Sequence, residues 1–260
     1  MDMELRGKSV LITGASQGIG AGLARAFARE GCQLVLVARS ADGLQALQAE
    51  LQAQYGVQVA VQARDLTAPG SAEELAGAWG EVDILVNNAG GIPAGDLWSV
   101  DATRWRAGWE LKVMGYIDVT RAFYRCMRER GQGVILNNIG SGGESYDFDY
   151  IAGTTGNAAL MAFSRALGGR SLRDGIRVLG VNPGPVATAR IEQMLRVRAR
   201  DQLGDEARYG EFLAKLPRGR AAHVEEVADL FVFLASPRSA YTSGVIVTID
   251  GGMTSSKAIA

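Results

Sequence analysis

The chain has little of what many classes of enzyme need for catalysis. Among 260 residues there is one histidine, His223, and there are two cysteines, Cys32 and Cys126. A single histidine argues against a Ser-His-Asp triad or a histidine-rich metal centre, and we expect no metal site. The two cysteines lack metal-ligand spacing, so we expect them to be buried free thiols.

Long apolar runs and an excess of charge are also absent. No run approaches the roughly 20 apolar residues that a helix needs to cross a bilayer, and residues 1–7 are polar, unlike a signal peptide. The formal net charge of −1 provides no long-range attraction to nucleic acid or to an anionic membrane. We therefore expect a cytoplasmic protein that acts on a small molecule.

Glycine is abundant, with 34 residues, and short apolar runs alternate with helical patterns along the chain. The apolar runs predict strands at 10–13, 33–38, 57–62, 84–86, 133–137, 177–181 and 245–249. The helical patterns cover 19–30, 41–55, 72–79, 102–130, 155–173 and 224–234. Continuous apolar strands are typical of a parallel sheet buried on both faces. The alternation predicts one α/β domain over 1–260, a Rossmann fold with a doubly wound parallel sheet of about seven strands and helices on both faces.

The segment of about 187–220 departs from this alternation. It is rich in arginine, aspartate and glutamate and carries only a weak helical pattern. It is either a solvated helical insertion or a lid over a site at the carboxyl ends of the strands. We favour the lid, because the segment follows a predicted strand that runs into Pro183 and Gly184.

Four polar or glycine-rich turns follow predicted strands. The first, from Gly14 to Gly20, lies between a strand and a helix, where glycines let the backbone approach a pyrophosphate at the helix N-terminus. The others begin at Asp65, at Asn87 and at Asn182. Open α/β sheets bind ligands at this edge. With the closing Asp250-Gly-Gly, these turns resemble the short-chain dehydrogenase/reductase family from residue 8 to residue 252.

The resemblance implies a dinucleotide cofactor and a role for each matching residue. The pyrophosphate and ribose would contact Gly14, Ser16, Gln17, Gly18, Ile19 and Gly20. The adenine would lie by Asp65 and Leu66, and the adenosine ribose by Asn88 and Gly90. The nicotinamide would be bounded by Pro183, Gly184, Val186 and Thr188. The resemblance also implies a homo-oligomer, which we expect to be a tetramer.

The end of the second predicted strand bears on which dinucleotide is used. An acid there would accept hydrogen bonds from the ribose hydroxyls and repel a 2′-phosphate, but the chain has Arg39 and Ser40. A guanidinium beside a hydroxyl suits a phosphate dianion. We therefore expect a preference for NADP(H), with NAD(H) also possible; an exposed arginine without a ligand is the other interpretation.

The family's catalytic asparagine, serine, tyrosine and lysine have no identical counterparts here. Its spacing, counted from Asn88, falls on Lys112, on Gly140 with Ser141 beside it, on Gly153 and on Asn157. Either the chemistry is lost and only a binding shell remains, or the groups have moved. In the second case Lys112 stands at the position of the family's asparagine, and Asn157 stands at the position of its lysine. The two residue types would then be exchanged at the cofactor ribose.

Two further groups are candidates for this centre. Ser141 would supply the hydroxyl after a shift of one residue, and Tyr150 precedes the place of the family's tyrosine by about one helical turn. A partly buried aromatic at a helix start explains Tyr150 equally well. The loop 144–149 offers carboxylates as a base, although a solvated loop is the simpler interpretation. Three functions therefore stay open: an NADP(H)-dependent oxidoreductase, a dinucleotide-using lyase or isomerase, and a nucleotide-binding protein without catalysis.

Overall fold

The computed structural model describes residues 1–256. Seven strands form one parallel sheet: β1 Ser9–Thr13, β2 Gln33–Ala38, β3 Val59–Ala63, β4 Ile84–Asn87, β5 Gly133–Asn138, β6 Ile176–Pro183 and β7 Ile246–Ile249. Their order in the sheet is β3-β2-β1-β4-β5-β6-β7, and every neighbouring pair is parallel. The predicted doubly wound sheet is confirmed, and its order reverses between β1 and β4, which opens a crevice at their carboxyl ends.

Helices cover both faces of the sheet. They are α1 Gly18–Arg29, α2 Ala41–Tyr55, α3 Ser71–Trp79, α4 Ala102–Trp109, α5 Gly115–Arg130, α6 Ile151–Ser171, α7 Ala189–Leu203, α8 Gly210–Ala214 and α9 Val224–Ala235. One buried cluster joins α1, α2 and α9 to the sheet, and a second joins α3 and α5 to the opposite face. The core is therefore split by a strand layer that is buried on both sides, as the apolar runs predicted.

Most predicted boundaries differ from the observed ones by one or two residues. The third strand begins at Val59, because Gly56 ends α2 in a left-handed conformation and the chain needs a short connection. The predicted helix 102–130 is interrupted by a π-helical turn, Glu110–Met114. The predicted helix 155–173 begins earlier, at Ile151, so Tyr150 immediately precedes it. The last two differences both concern the predicted site.

A buried chain of hydrogen bonds fixes the ends of β4 and β5. Asn87 Nδ2 donates to Thr120 Oγ1 and to Asn137 Oδ1, both at 2.9 Å, and Asn137 Nδ2 donates to Ser164 Oγ at 2.9 Å. These side chains connect α5, two strands and α6. Because buried polar groups are costly unless they are paired, the chain holds the carboxyl edge of the sheet in one arrangement.

His223 precedes α9, and its backbone N–H donates to Glu226 at 2.7 Å. Cys32 is a buried free thiol and Cys126 a partly buried one. Within residues 1–256, no group of three metal-ligating side chains comes together. Among those residues no helix has the length and hydropathy required to cross a bilayer.

Candidate active site

The glycine-rich turn leads from β1 into α1 with its backbone tightly packed. Gly14 has a φ of +65°, and a β-carbon on Gly20 would overlap the carbonyl of Gly14 and approach Asn88 Nδ2 to 2.6 Å. The side chain of Gln17 does not cap α1, and the first turn of that helix carries no acid. Free N–H groups and the positive end of the helix dipole therefore lie at the carboxyl end of β1, which fits a pyrophosphate.

The residues predicted for the adenine end come together at the adjacent strand ends. Arg39 is exposed after β2, and its charge helps to keep the pKa of Asp65 below its usual range, although the bonds from Thr67 to that carboxylate contribute more. Ser40 caps α2 by accepting from the N–H of Gly43 at 3.2 Å. A hydroxyl, a guanidinium and a helix N-terminus therefore lie at this end of the crevice.

The side chain of Asn88 is occupied by protein partners. Its Nδ2 donates to the carbonyls of Thr13 and Gly14 at 3.0 and 3.2 Å, and its Oδ1 accepts from Asn138 Nδ2 at 2.7 Å. Asn88 therefore shapes the turn that faces the predicted adenosine ribose, while its side chain is already paired.

The nicotinamide end is formed by the segment that follows β6. The N–H of Gly184 donates to the carbonyl of Ile249 at 3.0 Å, and Val186 forms a parallel bridge with Ala222. Thr188 caps α7, and its methyl group lies 3.5 Å from where a β-carbon on Gly18 would stand. The two predicted parts of the site, separated widely in sequence, thus face each other across the crevice.

Tyr150 lies against the predicted place of the family's tyrosine. Its ring occupies the space that a β-carbon on Gly153 would take, and it lies 3.2 Å from where a β-carbon on Gly142 would stand. Burial raises the pKa of Tyr150, and the charge of Arg190 opposes that shift. Tyr150 immediately precedes α6, and its ring folds back over the first turn of that helix. The ring therefore reaches the space beside Gly153 although Tyr150 does not lie within α6.

Lys112 lies on the π-helical turn and points its ammonium at the backbone of the loop after β5. Its Nζ donates to the carbonyl of Ile139, and its stem lies 2.9 Å from where a β-carbon on Gly90 would stand. Protein closely surrounds the ammonium although the side chain as a whole keeps some exposure. This burial, together with the charge of Arg190, lowers the pKa of Lys112 to about 7.

Asn157 is buried at the centre of these groups. Only 2% of the residue is exposed, and its Oδ1 has no hydrogen-bond partner among the described residues. Its Nδ2 lies 3.3 Å from where a β-carbon on Gly140 would stand. Ser141 follows in a short 3₁₀ turn, Ser141–Gly143, and is partly exposed. An unpaired buried acceptor is unusual, and it fits a ligand hydroxyl such as that of a ribose.

Known proteins resemble this chain along nearly its whole length. A family model described as enoyl-(acyl carrier protein) reductase matches residues 14–254. Galactitol 2-dehydrogenase (L-tagatose-forming) of Cereibacter sphaeroides is 34% identical over 96% of each chain. The chain belongs to the short-chain dehydrogenase/reductase family. A solved structure of L-sorbose reductase from Gluconobacter frateurii, complexed with NADPH and L-sorbose, matches with a TM-score of 0.90 and 35% identity, covering 99% of this chain and 100% of that one.

Membership confirms the coarse expectations. Short-chain dehydrogenases/reductases are NAD(P)-dependent oxidoreductases, so this chain is an enzyme of that class acting on a carbonyl or an alcohol. The expected dinucleotide is confirmed at the level of NAD(P). The roles of single residues, the rearranged centre, the lid and the tetramer stay predictions.

Arg190 lies at the candidate site, and sequence reasoning did not single it out. It lies in the first turn of α7, and its guanidinium donates to the carbonyls of Gly90 at 3.2 Å and Ile92 at 3.0 Å. The bonds join the segment 187–220 to the loop after β4, directly above the crevice. The only available signal was its position two residues after Thr188, within a run of charges that gave no reason to prefer one arginine.

Glu144 is held by three hydroxyl or amide donors. Its Oε1 accepts from Asn182 Nδ2 at 2.7 Å and from Thr248 Oγ1 at 2.8 Å. Its Oε2 lies 3.3 Å from Thr254 Oγ1, whose hydroxyl is shared with Asp250 Oδ2 at 2.8 Å. The carboxylate therefore ties the loop after β5 to the ends of β6 and β7 and to the chain beyond β7.

Proposed function

We propose that this chain is an NADP(H)-dependent oxidoreductase that interconverts a carbonyl and an alcohol through a rearranged centre. In this centre Lys112 and Tyr150 act in place of the family's tyrosine and lysine, whose positions are Gly153 and Asn157. The observation that carries the proposal is the ring of Tyr150 above Gly153. A phenol and an ammonium are thus retained in the centre, although both come from other positions in the chain.

The cofactor proposal is supported at both ends of the crevice. Arg39 and Ser40 suit a 2′-phosphate, while the uncapped start of α1 suits the pyrophosphate. The buried Oδ1 of Asn157 is suited to accept a hydrogen bond from the nicotinamide ribose. The solved structure of L-sorbose reductase, which matches almost the whole of this chain, is a complex with NADPH. When bound, NADP(H) supplies or accepts the hydride.

In this proposal Lys112 is the group that transfers the proton to or from the substrate oxygen. A group with a pKa of about 7 is present in both protonation states near neutral pH, which is the range that favours general acid–base catalysis. Tyr150 has a raised pKa and stays a neutral phenol, so it donates a hydrogen bond to the substrate oxygen. Ser141 offers a second hydroxyl beside them. In the direction of reduction, Lys112 gives its proton to the oxygen of the carbonyl.

The helical segment of about 187–220 acts as a lid in this proposal. Arg190 connects α7 to the backbone at Gly90 and Ile92, and Thr188 faces Gly18. These contacts cross the crevice, so a ligand would enter by separating them. Opening and closing of such a segment would exclude water during the reaction.

The alternative of a lyase or isomerase receives less support. It needs a free carboxylate in the loop 144–149, but Glu144 is already paired with three donors. Asp147 is exposed and accepts from the N–H of Asp149, which is exposed too. Glu144, the least exposed carboxylate of the loop, is therefore already engaged, and those of Asp147 and Asp149 are open to solvent.

The test is a kinetic survey of purified protein with NADPH and a panel of ketones, aldehydes and keto acids. Substrate-dependent loss of nicotinamide absorbance supports the proposal. Turnover of substrate without net change of the cofactor supports a lyase or isomerase instead. Tight binding of NADPH, measured by quenching of tryptophan fluorescence, together with no turnover of any compound contradicts a catalytic role.

A further inference from the structure

The side chains of two basic residues contact the same glycine. The stem of Lys112 packs against the Cα of Gly90, and the guanidinium of Arg190 bonds to the carbonyl of that residue. Arg190 is also close enough to depress the pKa of Lys112 and that of Tyr150. The ammonium, the guanidinium and the phenol therefore share one small region above the crevice.

No carboxylate balances these two charges. Among the ion pairs formed within residues 1–256, neither Lys112 nor Arg190 takes part. Their protein partners are neutral backbone carbonyls. Most arginines of the segment 187–220 behave differently, since Arg196, Arg200, Arg208 and Arg220 each pair with an acid.

Two neighbouring like charges raise the free energy of the folded protein unless something offsets them. Arg190 donates to the two carbonyls through Nη1 and Nη2, and its guanidinium has further N–H groups for another acceptor. An oxyanion bound between the two side chains would relieve the repulsion. Such charge-assisted bonds are about twice as strong as neutral ones.

We infer that the substrate carries an oxyanionic group, a carboxylate or a phosphate, which Arg190 and Lys112 bind beside the reacting carbon. The inference rests on the proposed function, because it assigns the substrate class of the same centre. Arg190 is then a specificity-determining residue that lies on the lid. The lid closes as Arg190 binds the anion.

The body of the substrate meets an apolar entrance. A parallel bridge between Gly95 and Tyr150 joins the loop after β4 to the loop before α6. These two loops expose Trp98, at 81%, and Phe148, at 58%. Large exposed aromatic side chains beside a crevice often mark a binding surface. An aromatic oxyanion is therefore a suitable probe.

The experiment is a calorimetric titration of the NADP⁺-saturated protein with benzoate, phenyl phosphate and benzamide. We expect at least one of the two oxyanions to bind about tenfold tighter than neutral benzamide. The tighter of the two identifies the source of the anionic group. Arg190→Gln should remove that preference and Arg190→Lys should keep part of it, while the affinity for NADP⁺ stays unchanged. Arg198→Gln, further along α7, is the matched control and should behave as wild type.

Equal affinity for benzamide and both oxyanions, or no binding of either oxyanion, overturns the inference. So does a loss of NADP⁺ affinity in Arg190→Gln that matches its loss of oxyanion affinity, since the arginine would then serve the cofactor. Because the titration measures binding without turnover, these outcomes are independent of the survey that tests the proposed function. If NADP⁺ itself does not bind, the proposed function fails, and the same titration on the unloaded protein decides the inference.

Discussion

The ring of Tyr150 fills the space in which a side chain on Gly153 would begin. The two residues depend on each other, because any larger residue at 153 would displace the ring. The geometry explains how an aromatic side chain can lie in this centre although α6 begins only at Ile151.

Gly153→Ala should therefore displace Tyr150, destabilise the protein by about 1–3 kcal/mol and lower turnover. Urea unfolding and steady-state kinetics measure the two effects. Gly77→Ala is the control, since a β-carbon there meets nothing within 4 Å and an exposed helical alanine costs no stability. Combining Gly153→Ala with Tyr150→Ala should cost less than the sum of the single changes. Additive costs would show that the two residues do not compete for space.

Lys112 should matter more for turnover than Tyr150. We expect Lys112→Met to lose at least about tenfold in kcat/KM, or ~1.4 kcal/mol, and Tyr150→Phe to lose less. The reason is that the ammonium carries both the charge and the transferable proton. Unchanged turnover in Lys112→Met would exclude it from the chemistry, and a loss confined to NADPH affinity would reduce it to a ribose contact.

The buried ammonium should also make stability depend on pH. The pKa of Lys112 is about 7 in the folded protein against an ordinary 10.5. Between these values the unfolded chain binds a proton that the folded chain does not. The free energy of unfolding therefore rises with pH in this window, by at most about 1.4 kcal/mol per pH unit, and the contribution is constant below about pH 7. Urea unfolding of wild type and Lys112→Met across the window measures it; a constant difference between the two proteins would contradict the lowered pKa.

Arg39→Asp should reverse the preference for NADP(H) over NAD(H). The substitution removes a cation suited to the 2′-phosphate and introduces a charge that repels it, so we expect a change of tenfold or more in the ratio of dissociation constants, about 1.5–3 kcal/mol. Fluorescence titration with both cofactors provides the measurement. Gln33→Asp, at the opposite end of the same strand, is the control. Equal affinity of the wild type for both cofactors would mean that Arg39 does not contact the phosphate.

We expect a homotetramer, in which α5 and α6 pack against their copies across a two-fold axis. Light scattering at micromolar concentration should give four times the mass of the chain. Ala166→Arg, on the exposed face of α6, should lower that mass, whereas Ala46→Arg, exposed on α2, should not. A monomer mass for the wild type would refute this prediction.

Local patterns were sufficient to predict the sheet, because each parallel strand is buried on both faces and appears as a continuous apolar run. α2 was predicted over its observed range, since Ser40 caps its start and Gly56 ends it. The π-helical turn was not predicted, because a single extra residue in a helix leaves no mark on a weak apolar periodicity.

The centre was only partly predictable. Counting along the chain predicted Lys112 and Asn157, and the structure places both against the loop that follows β5. It did not identify Arg190, whose acceptors, the carbonyls of Gly90 and Ile92, belong to a distant loop and carry no side-chain signal. It also did not predict how Tyr150 folds over α6, since that depends on the empty space at Gly153.

The three bonds of Glu144 have a practical consequence for anyone who purifies this enzyme. Thr254, one of its donors, lies in the segment that follows β7. An affinity tag fused shortly after residue 254 would follow a side chain that is tied to the loop carrying Ser141. Kinetic constants should therefore be measured with the tag at the N-terminus or after its removal, and the two preparations compared.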